Sequence, residues 1–423
     1  MYNVSMTRKS HIAKTARNSY LGSRDFNGVP LAKLIDIDSP ADRRAFRDLI
    51  KEGTLEIASE AWDFPYIKRL ACPPKATQLA HLRKKIQKLI CVYPTTNWMR
   101  RSGTKVDVDR PFTARLQRAE PQLTTVPFEL AVLERYQEDP RYKLEMYNFG
   151  GHVTVSSEHY ESEQMLDRDK VVLESFGYGR TTGGRPIVVA FLRYLAALSP
   201  EHQRHWEGHI VPEEFKIEGN YYNAAVLGRW PEHTSIHVAF LEEFQHINRL
   251  CSLMGRPPLF RNDFTDDRPR GFGLILRPTR RNYGDFIHLL DKMISENINR
   301  KFFVGTGLTL FSKTPKQDGT VESHPKGSLA LLEEWLNKYV RFRDAGLIAQ
   351  TLYPLKLVHQ LRHPLAHMLQ NDGFDPRFHR AQQRRLIRTY RALQGIRLIF
   401  SSHPAAKTYR LPSFLEQESI ALL

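Results

Sequence analysis

From residue 280 to residue 400 the apolar residues keep returning at the spacing of an α-helix, which limits this part of the chain to packed helices. Within 282–303 the recurring positions are Phe286, Leu289, Leu290, Met293, Ile294 and Ile298. Within 328–350 they are Leu329, Leu332, Trp335, Leu336, Tyr339 and Val340. Steps of three and four residues put these side chains on one face of each segment. Further helices are predicted over about 352–362, 364–370 and 376–400, with a loop at 304–327. The expectation is an all-α C-terminal domain covering 278–423.

The segment 120–277 has a different pattern. Met146–Ser156, Lys170–Phe176, Pro186–Phe191 and Gly271–Leu276 are β-branched and aromatic runs bounded by Gly or Asp, which predicts strands. Helices over about 191–208 and 235–254 interrupt them. Gly177, Gly179, Gly183 and Gly184 cluster between two of the strands. Neither G-x-x-x-x-G-K-[ST] nor G-x-G-x-x-G is present, so a hairpin connection is expected there and not a phosphate loop. The fold class is therefore α+β, a mixed central domain with β-strands followed by a helical bundle.

Residues 1–119 form a basic N-terminal region, partly helical. Its first 24 residues carry five Lys and Arg and no acid before Asp25, and read as a mobile basic arm. Organelle transit peptides share that composition. A helix is expected from Ser39 as N-cap and Pro40 at the first helical position to Gly53 as stop. Another is expected over about 76–92, with Leu79, Leu82, Ile86, Leu89 and Ile90 on one side and Arg83, Lys84, Lys85 and Lys88 between them.

Charge narrows the function. The chain of 423 residues has a net charge of +16, and it is unevenly spread. Residues 1–119 hold 23 Lys and Arg against 11 Asp and Glu, and residues 356–410 hold 11 against 2. Of the 62 basic residues 41 are Arg, the side chain suited to bidentate phosphate contacts. Such blocks point to a polyanionic partner, most often nucleic acid. An apolar content of 41% argues against wholesale disorder. Cys72, Cys91 and Cys251 lie too far apart for a cysteine zinc ribbon and suit a reducing cytoplasm. No run approaches the ~20 apolar residues of a membrane span, and the start does not resemble a secretory signal.

Several constellations hold chemically versatile residues. His202, His205 and His209 fall on one helical face, but with no carboxylate pair or cysteine beside them they read as packing around Trp206, so neither metal nor cofactor is expected. Glu243 and His246 form a single Glu-x-x-His, where a di-iron bundle needs two. The segments 133–142 and 295–303 stand out as motif-like without a catalytic logic legible in them. The segment that does carry one is Leu361-Arg362-His363-Pro364-Leu365-Ala366-His367. An Arg followed by a His at similar spacing recurs at Arg204/His209, Arg281/His288 and Arg397/His403. The pair 362–367 lies in the helical module beside the most basic run, whereas 204–209 interrupts a strand-rich segment.

At these residues the chain resembles the HEPN superfamily, helical RNases and RNA-binding domains of toxin, antiphage and RNA-processing systems. The family motif is an Arg, a polar residue, about three variable residues and a His, matched here by Arg362, His363 and His367. The resemblance covers at most about 280–405. It implies a cytoplasmic, metal-independent endoribonuclease without cofactor, plausible as a toxin or antiphage effector and working as a homodimer through the C-terminal helices. A partner protein or larger defence complex is compatible with it. His367 would serve as acid or base, Arg362 would hold the phosphate, and His363 would orient His367 or touch the phosphate. The alternative is a non-catalytic nucleic-acid-binding or sensor subunit of a larger assembly.

Pro364 bears on the geometry. It is expected to end one helix near Arg362 and open the next, a kink that aims Arg362 and His367 into one cleft. Beyond it, Arg377, Arg380, Arg384, Arg388 and Arg391 draw a stripe with no acid between them, expected to hold RNA.

Overall fold

Ser39 and Gly53 bound their helix as side-chain chemistry dictates. Ser39 Oγ accepts the backbone N–H of Asp42, Pro40 opens the first turn, and Gly53 closes the helix in the left-handed region at φ 71°. The computed structural model describes residues 2–22, 28–58, 72–84, 90–102, 108–146, 149–161, 165–229, 233–265, 268–315, 321–341, 346–367, 372–417 and 419–421. The fold is mixed α+β, and the chain divides into two compact units, Met1–Pro231 and Glu232–Leu423. This groups the chain differently from the three parts read in the sequence. The basic region 1–119 shares a unit with the central strands, and the helix following them packs with the C-terminal helices.

The first unit opens with α1 (Tyr2–Gly22), β1 (Val29–Pro30), α2 (Pro40–Glu52), β2 (Leu55–Ala58), α3 (Lys75–Lys84) and β3 (Cys91–Pro94). Its strands pair antiparallel in the order β1-β3-β2. The expected mobile arm is a helix whose Ile12, Ala16 and Tyr20 are buried one turn apart, while Arg8 and Lys9 pair with Asp42 and Glu52 of α2. A small Ala in mid-stripe, set among Arg and Lys, left too weak an apolar signal to read. The helix expected over 76–92 likewise gives way to β3, whose four residues are all buried in the strand.

Next come α4 (Thr96–Arg101), α5 (Pro111–Gln117), β4 (Thr125–Glu129), α6 (Glu134–Glu138), β5 (Tyr142–Met146), β6 (Gly150–Val155) and α7 (Ser157–Tyr160). After these follow β7 (Leu173–Thr181), β8 (Pro186–Phe191), α8 (Leu192–Ala196), α9 (Pro200–Glu207), β9 (Phe215–Ile217) and α10 (Gly219–Leu227). The antiparallel sheet runs β4-β8-β7-β6-β5, and β9 pairs with the far part of β7. Ile187–Phe191 of β8 are buried on both faces. The glycine cluster serves the β7–β8 hairpin. Gly184 turns the chain at φ 80°, and a Cβ at Gly177 would lie 2.2 Å from the Tyr221 ring.

The second unit contains β10 (Thr234–Ser235), α11 (Ile236–Leu253), α12 (Arg280–Asp291), β11 (Phe311–Pro315), β12 (Val321–Pro325) and α13 (Ser328–Tyr339). It ends with α14 (Leu347–His367), α15 (Arg377–Ser401), α16 (Ser413–Glu416) and β13 (Ile420–Ala421). Of the periodic residues in 282–303 and 328–350, Phe286, Leu290, Met293, Leu332, Trp335 and Leu336 are buried in one core. Helix α13, however, ends at Tyr339, which is half exposed, short of the expected residue 350. Where a loop was expected at 304–327, β11 and β12 form a hairpin. Where a strand was expected over 271–276 the chain is irregular. There the Gln382 side chain takes the place of a strand partner, bonding Ile275 N and Gly273 O. Glu243 of α11 and Arg397 of α15 form a fully buried, two-point ion pair that ties those helices together.

Candidate functional site

Helix α14 runs unbroken from Leu347 to His367, with Pro354 and Pro364 inside it. The kink expected at Arg362 is absent. Each internal proline forfeits one backbone hydrogen bond, at a cost of roughly 3 kcal/mol. Burial of Ile348, Leu352, Leu355 and Val358 among α12, α13 and α15 offsets it. Continuity has a geometric consequence. Residues five apart on a helix are turned about 140° from one another, so positions 362 and 367 do not converge within one chain. Positions 359, 363 and 367 instead follow one another in steps of about 40° and about 6 Å, a row of three histidines along one face. The side chains of 363–367, His363 and His367 included, lie outside the described residues.

What the structure brings to Arg362 is a pair of carboxylates. Its Nη1 donates to Asp291 Oδ2 at 3.0 Å and to Glu296 Oε1. These bonds, that to Asp291 foremost, hold the guanidinium pKa above its ordinary value. Asp291 and Glu296 both reach Arg362 because α12 ends in a π-helical turn over Lys292–Glu296, whose i→i+5 winding stacks residues five apart. Among the described residues only Nη1 is engaged, which leaves Nε and Nη2 with N–H groups that another acceptor can use.

Asp291 is the centre of the cluster. Its carboxylate is 1% exposed and lies 3.1 and 3.2 Å from Nδ1 of His359, whose side chain is 47% exposed. Ser295 Oγ donates to Asp291 Oδ1 and stands 3.5 Å from the same His359 nitrogen. A buried carboxylate against Nδ1 fixes the imidazole tautomer and the orientation of the ring. An open groove of about 320 Å³ adjoins the cluster through Glu296, lined also by Arg261, Asn262, Phe264 and Lys292.

The arginine stripe is present as drawn. Arg377, Arg380, Arg384, Arg388 and Arg391 are all exposed on α15, within an arc of about 80° and over about 21 Å. Leu386, Tyr390 and Leu393 are buried on the opposite side. Arg377 pairs with Asp375, while among the described residues the other four have no carboxylate partner. Helices α14 and α15 pack as an antiparallel pair in which a Cβ on Gly395 would lie 2.7 Å from Thr351 Cγ2. Counting eight residues along each from that contact sets His359 level with Ile387 and Arg388.

The other constellations are structural. His202 Nδ1 lies 2.7 Å from the Tyr136 hydroxyl, and burial pushes its pKa down to about 4. His205 Nε2 lies 2.9 Å from the Val132 carbonyl, and burial pushes its pKa down too. Arg204 pairs with Asp109. Glu243 is spent on Arg397. Ser295 and Glu296 fall in the 295–303 segment that stood out without a legible logic. Asp291 and His359 escaped the sequence reading because their contact joins residues 68 apart, and Pro364, taken as a break, hid the histidine row. Without that break, the i, i+4, i+8 row of His359, His363 and His367 is legible in the sequence.

No protein family, curated protein or solved structure that the chain was compared with matches it.

Proposed function

We propose that the C-terminal unit holds single-stranded RNA along α15 and cleaves it beside α14 as a HEPN-like, metal-independent endoribonuclease. The observation that carries this reading is the stripe of exposed arginines on α15, four of them without a carboxylate partner among the described residues. Like charges one turn apart repel by a few tenths of a kcal/mol per pair, a cost that bound phosphates remove. RNA brings its own nucleophile, the 2′-OH beside the scissile phosphate. Arg362 contacts the phosphate through Nε and Nη2, and His363 and His367 take part in proton transfer. On this reading the protein acts in the cytoplasm as a homodimer, as a toxin or antiphage effector, alone or within a larger defence complex.

A second reading, a nucleic-acid-binding or sensor subunit without catalysis, is favoured by one contact. Asp291 and Glu296 already neutralise the Arg362 charge that a catalytic phosphate site would use. One experiment separates the two. In buffer containing EDTA the full chain should cleave single-stranded RNA, and Arg362→Ala or His367→Ala should abolish cleavage while the fold is retained. Replacing Arg384, Arg388 and Arg391 together by Gln should weaken RNA binding for every sequence. It should also reduce the slope of log affinity against log salt by about 2, at roughly 0.7 per single-strand phosphate contact. Binding that falls while no cleavage is ever seen selects the non-catalytic reading. An unchanged salt slope removes the RNA track.

A further inference from the structure

Cleavage by 2′-OH attack needs two proton transfers, one from the nucleophile and one to the leaving oxygen, and a single histidine serves both poorly. A second group has to come from a partner chain or from elsewhere in this one. The described surface of the second unit presents such a group at His359, one turn before His363 on the same face of α14.

We infer that His359 is a catalytic acid–base residue of this site and that Asp291 is its positioning residue. The inference rests on the ribonuclease reading above and goes beyond it by placing a second imidazole in the same chain. Three features separate the pair from an ordinary structural contact. Asp291 is already satisfied by Ser295 Oγ and Arg362 Nη1, so His359 is not needed to hold a buried charge. His359 is half exposed, whereas His202 and His237, histidines that do structural packing, are at most 5% exposed. The contact uses Nδ1 and aligns the ring, which is how a carboxylate prepares an imidazole to pass a proton through Nε2. Among the described residues, charged groups facing His359 include Asp291 on α12 and, sharing that carboxylate, Arg362 on its own helix. Ser295 is the polar neighbour.

The chemistry then balances within one protomer. One imidazole takes the proton from the 2′-OH as the 2′-oxygen bonds to phosphorus. The bond from phosphorus to the 5′-oxygen breaks, and the departing oxygen takes a proton from the other imidazole in its protonated form. The products are a 2′,3′-cyclic phosphate and a 5′-hydroxyl, with nothing oxidised or reduced. Ring alignment by Asp291 suits His359 to either transfer, with His363, one turn further along α14, supplying the other.

The test uses the full chain and a labelled single-stranded RNA in EDTA. His359→Ala should lower the cleavage rate by about 10²–10⁴-fold and leave the dissociation constant for RNA within twofold of wild type. It should also convert a two-limbed pH–rate profile into a one-limbed one. His359→Asn keeps an N–H donor where Nδ1 stands and so keeps the contact to Asp291, and should be as inactive as the alanine variant. Asp291→Asn should reduce kcat more than it changes KM, because it disorients the ring without touching RNA. Wild-type cleavage with a His359→Asn rate within threefold of wild type, or with both pH limbs intact in that variant, overturns the assignment of His359 and leaves the ribonuclease reading standing. A wild-type chain that cleaves no RNA removes both.

Discussion

His202 shows what burial does to one imidazole. It is fully buried against Tyr136, and its pKa is pushed down from 6.5 to about 4 by loss of solvent. In the unfolded chain the same ring titrates near 6.5. Between these values the unfolded state binds more protons than the folded one, so stability rises with pH across the interval and is lost as pH falls from about 6.5 to about 4. The whole difference is on the order of 3 kcal/mol. Thermal unfolding of wild type should therefore drop steeply on acidification. His202→Gln, which cannot take up that proton, should start lower at pH 7 and fall less between pH 6.5 and pH 4.5. Equal slopes for the two proteins would show that this ring does not drive the acid loss. His237 in the other unit, buried and pushed down to about 3, follows the same sign.

At the scale of elements, α14 makes the sharpest distinction between what a sequence signals and what packing enforces. If Pro364 opened a new helix, replacing it by Ala would remove a favourable first-turn residue. Inside a continuous helix the same change restores a backbone hydrogen bond. Pro364→Ala should therefore raise the unfolding midpoint of the second unit, by up to about 3 kcal/mol if the helix needs no rearrangement. A lower midpoint would restore the break. Signals that act through a single side chain or a regular repeat were readable. Ser39 and Gly53 marked α2, the Pro186–Phe191 run is β8, and the Arg377–Arg391 stripe is an exposed face. Signals that depend on distant partners were not. The π turn over Lys292–Glu296 brings Asp291 and Glu296 together on Arg362, some 70 residues on, and no local pattern announces it. The row His359, His363, His367 was present in the letters, but the local rule for proline, which packing overrides here, hid it.

For the molecule as a whole, the division into two units assigns each buried charge to one of them. Glu243 and Arg397 are both sealed from solvent, joined by bonds of 2.6 and 3.1 Å. Burial favours the protonated carboxyl and raises the Glu243 pKa, while the two bonds to Arg397 oppose that shift. Removing one partner strands the other, so Glu243→Ala should cost about 3–5 kcal/mol. Hydrogen exchange should show the loss in the amides of residues 236–253 and 377–401 and leave those of the β7–β8 hairpin protected. A uniform loss over both units would mean that the chain unfolds as a single cooperative block. Among the described residues, no helix is long and apolar enough to cross a membrane.

Helix α1 carries one last implication, for the order in which this chain acquires its shape. Its Arg17 Nη1 donates to the Ser102 carbonyl, its Tyr20 hydroxyl to the Glu120 carbonyl, and its Tyr20 carbonyl accepts from Gln122. None of those partners exists when α1 leaves the ribosome. At roughly 5–20 residues per second, Arg17 and Tyr20 wait on the order of 5–20 s for these neighbours to be made. Ile12 finds partners earlier, among residues 29–57, and Arg8 and Lys9 find Asp42 and Glu52. The helix therefore docks from its first half onward, while Tyr20 waits longest, until Met99 and Ala119 are made.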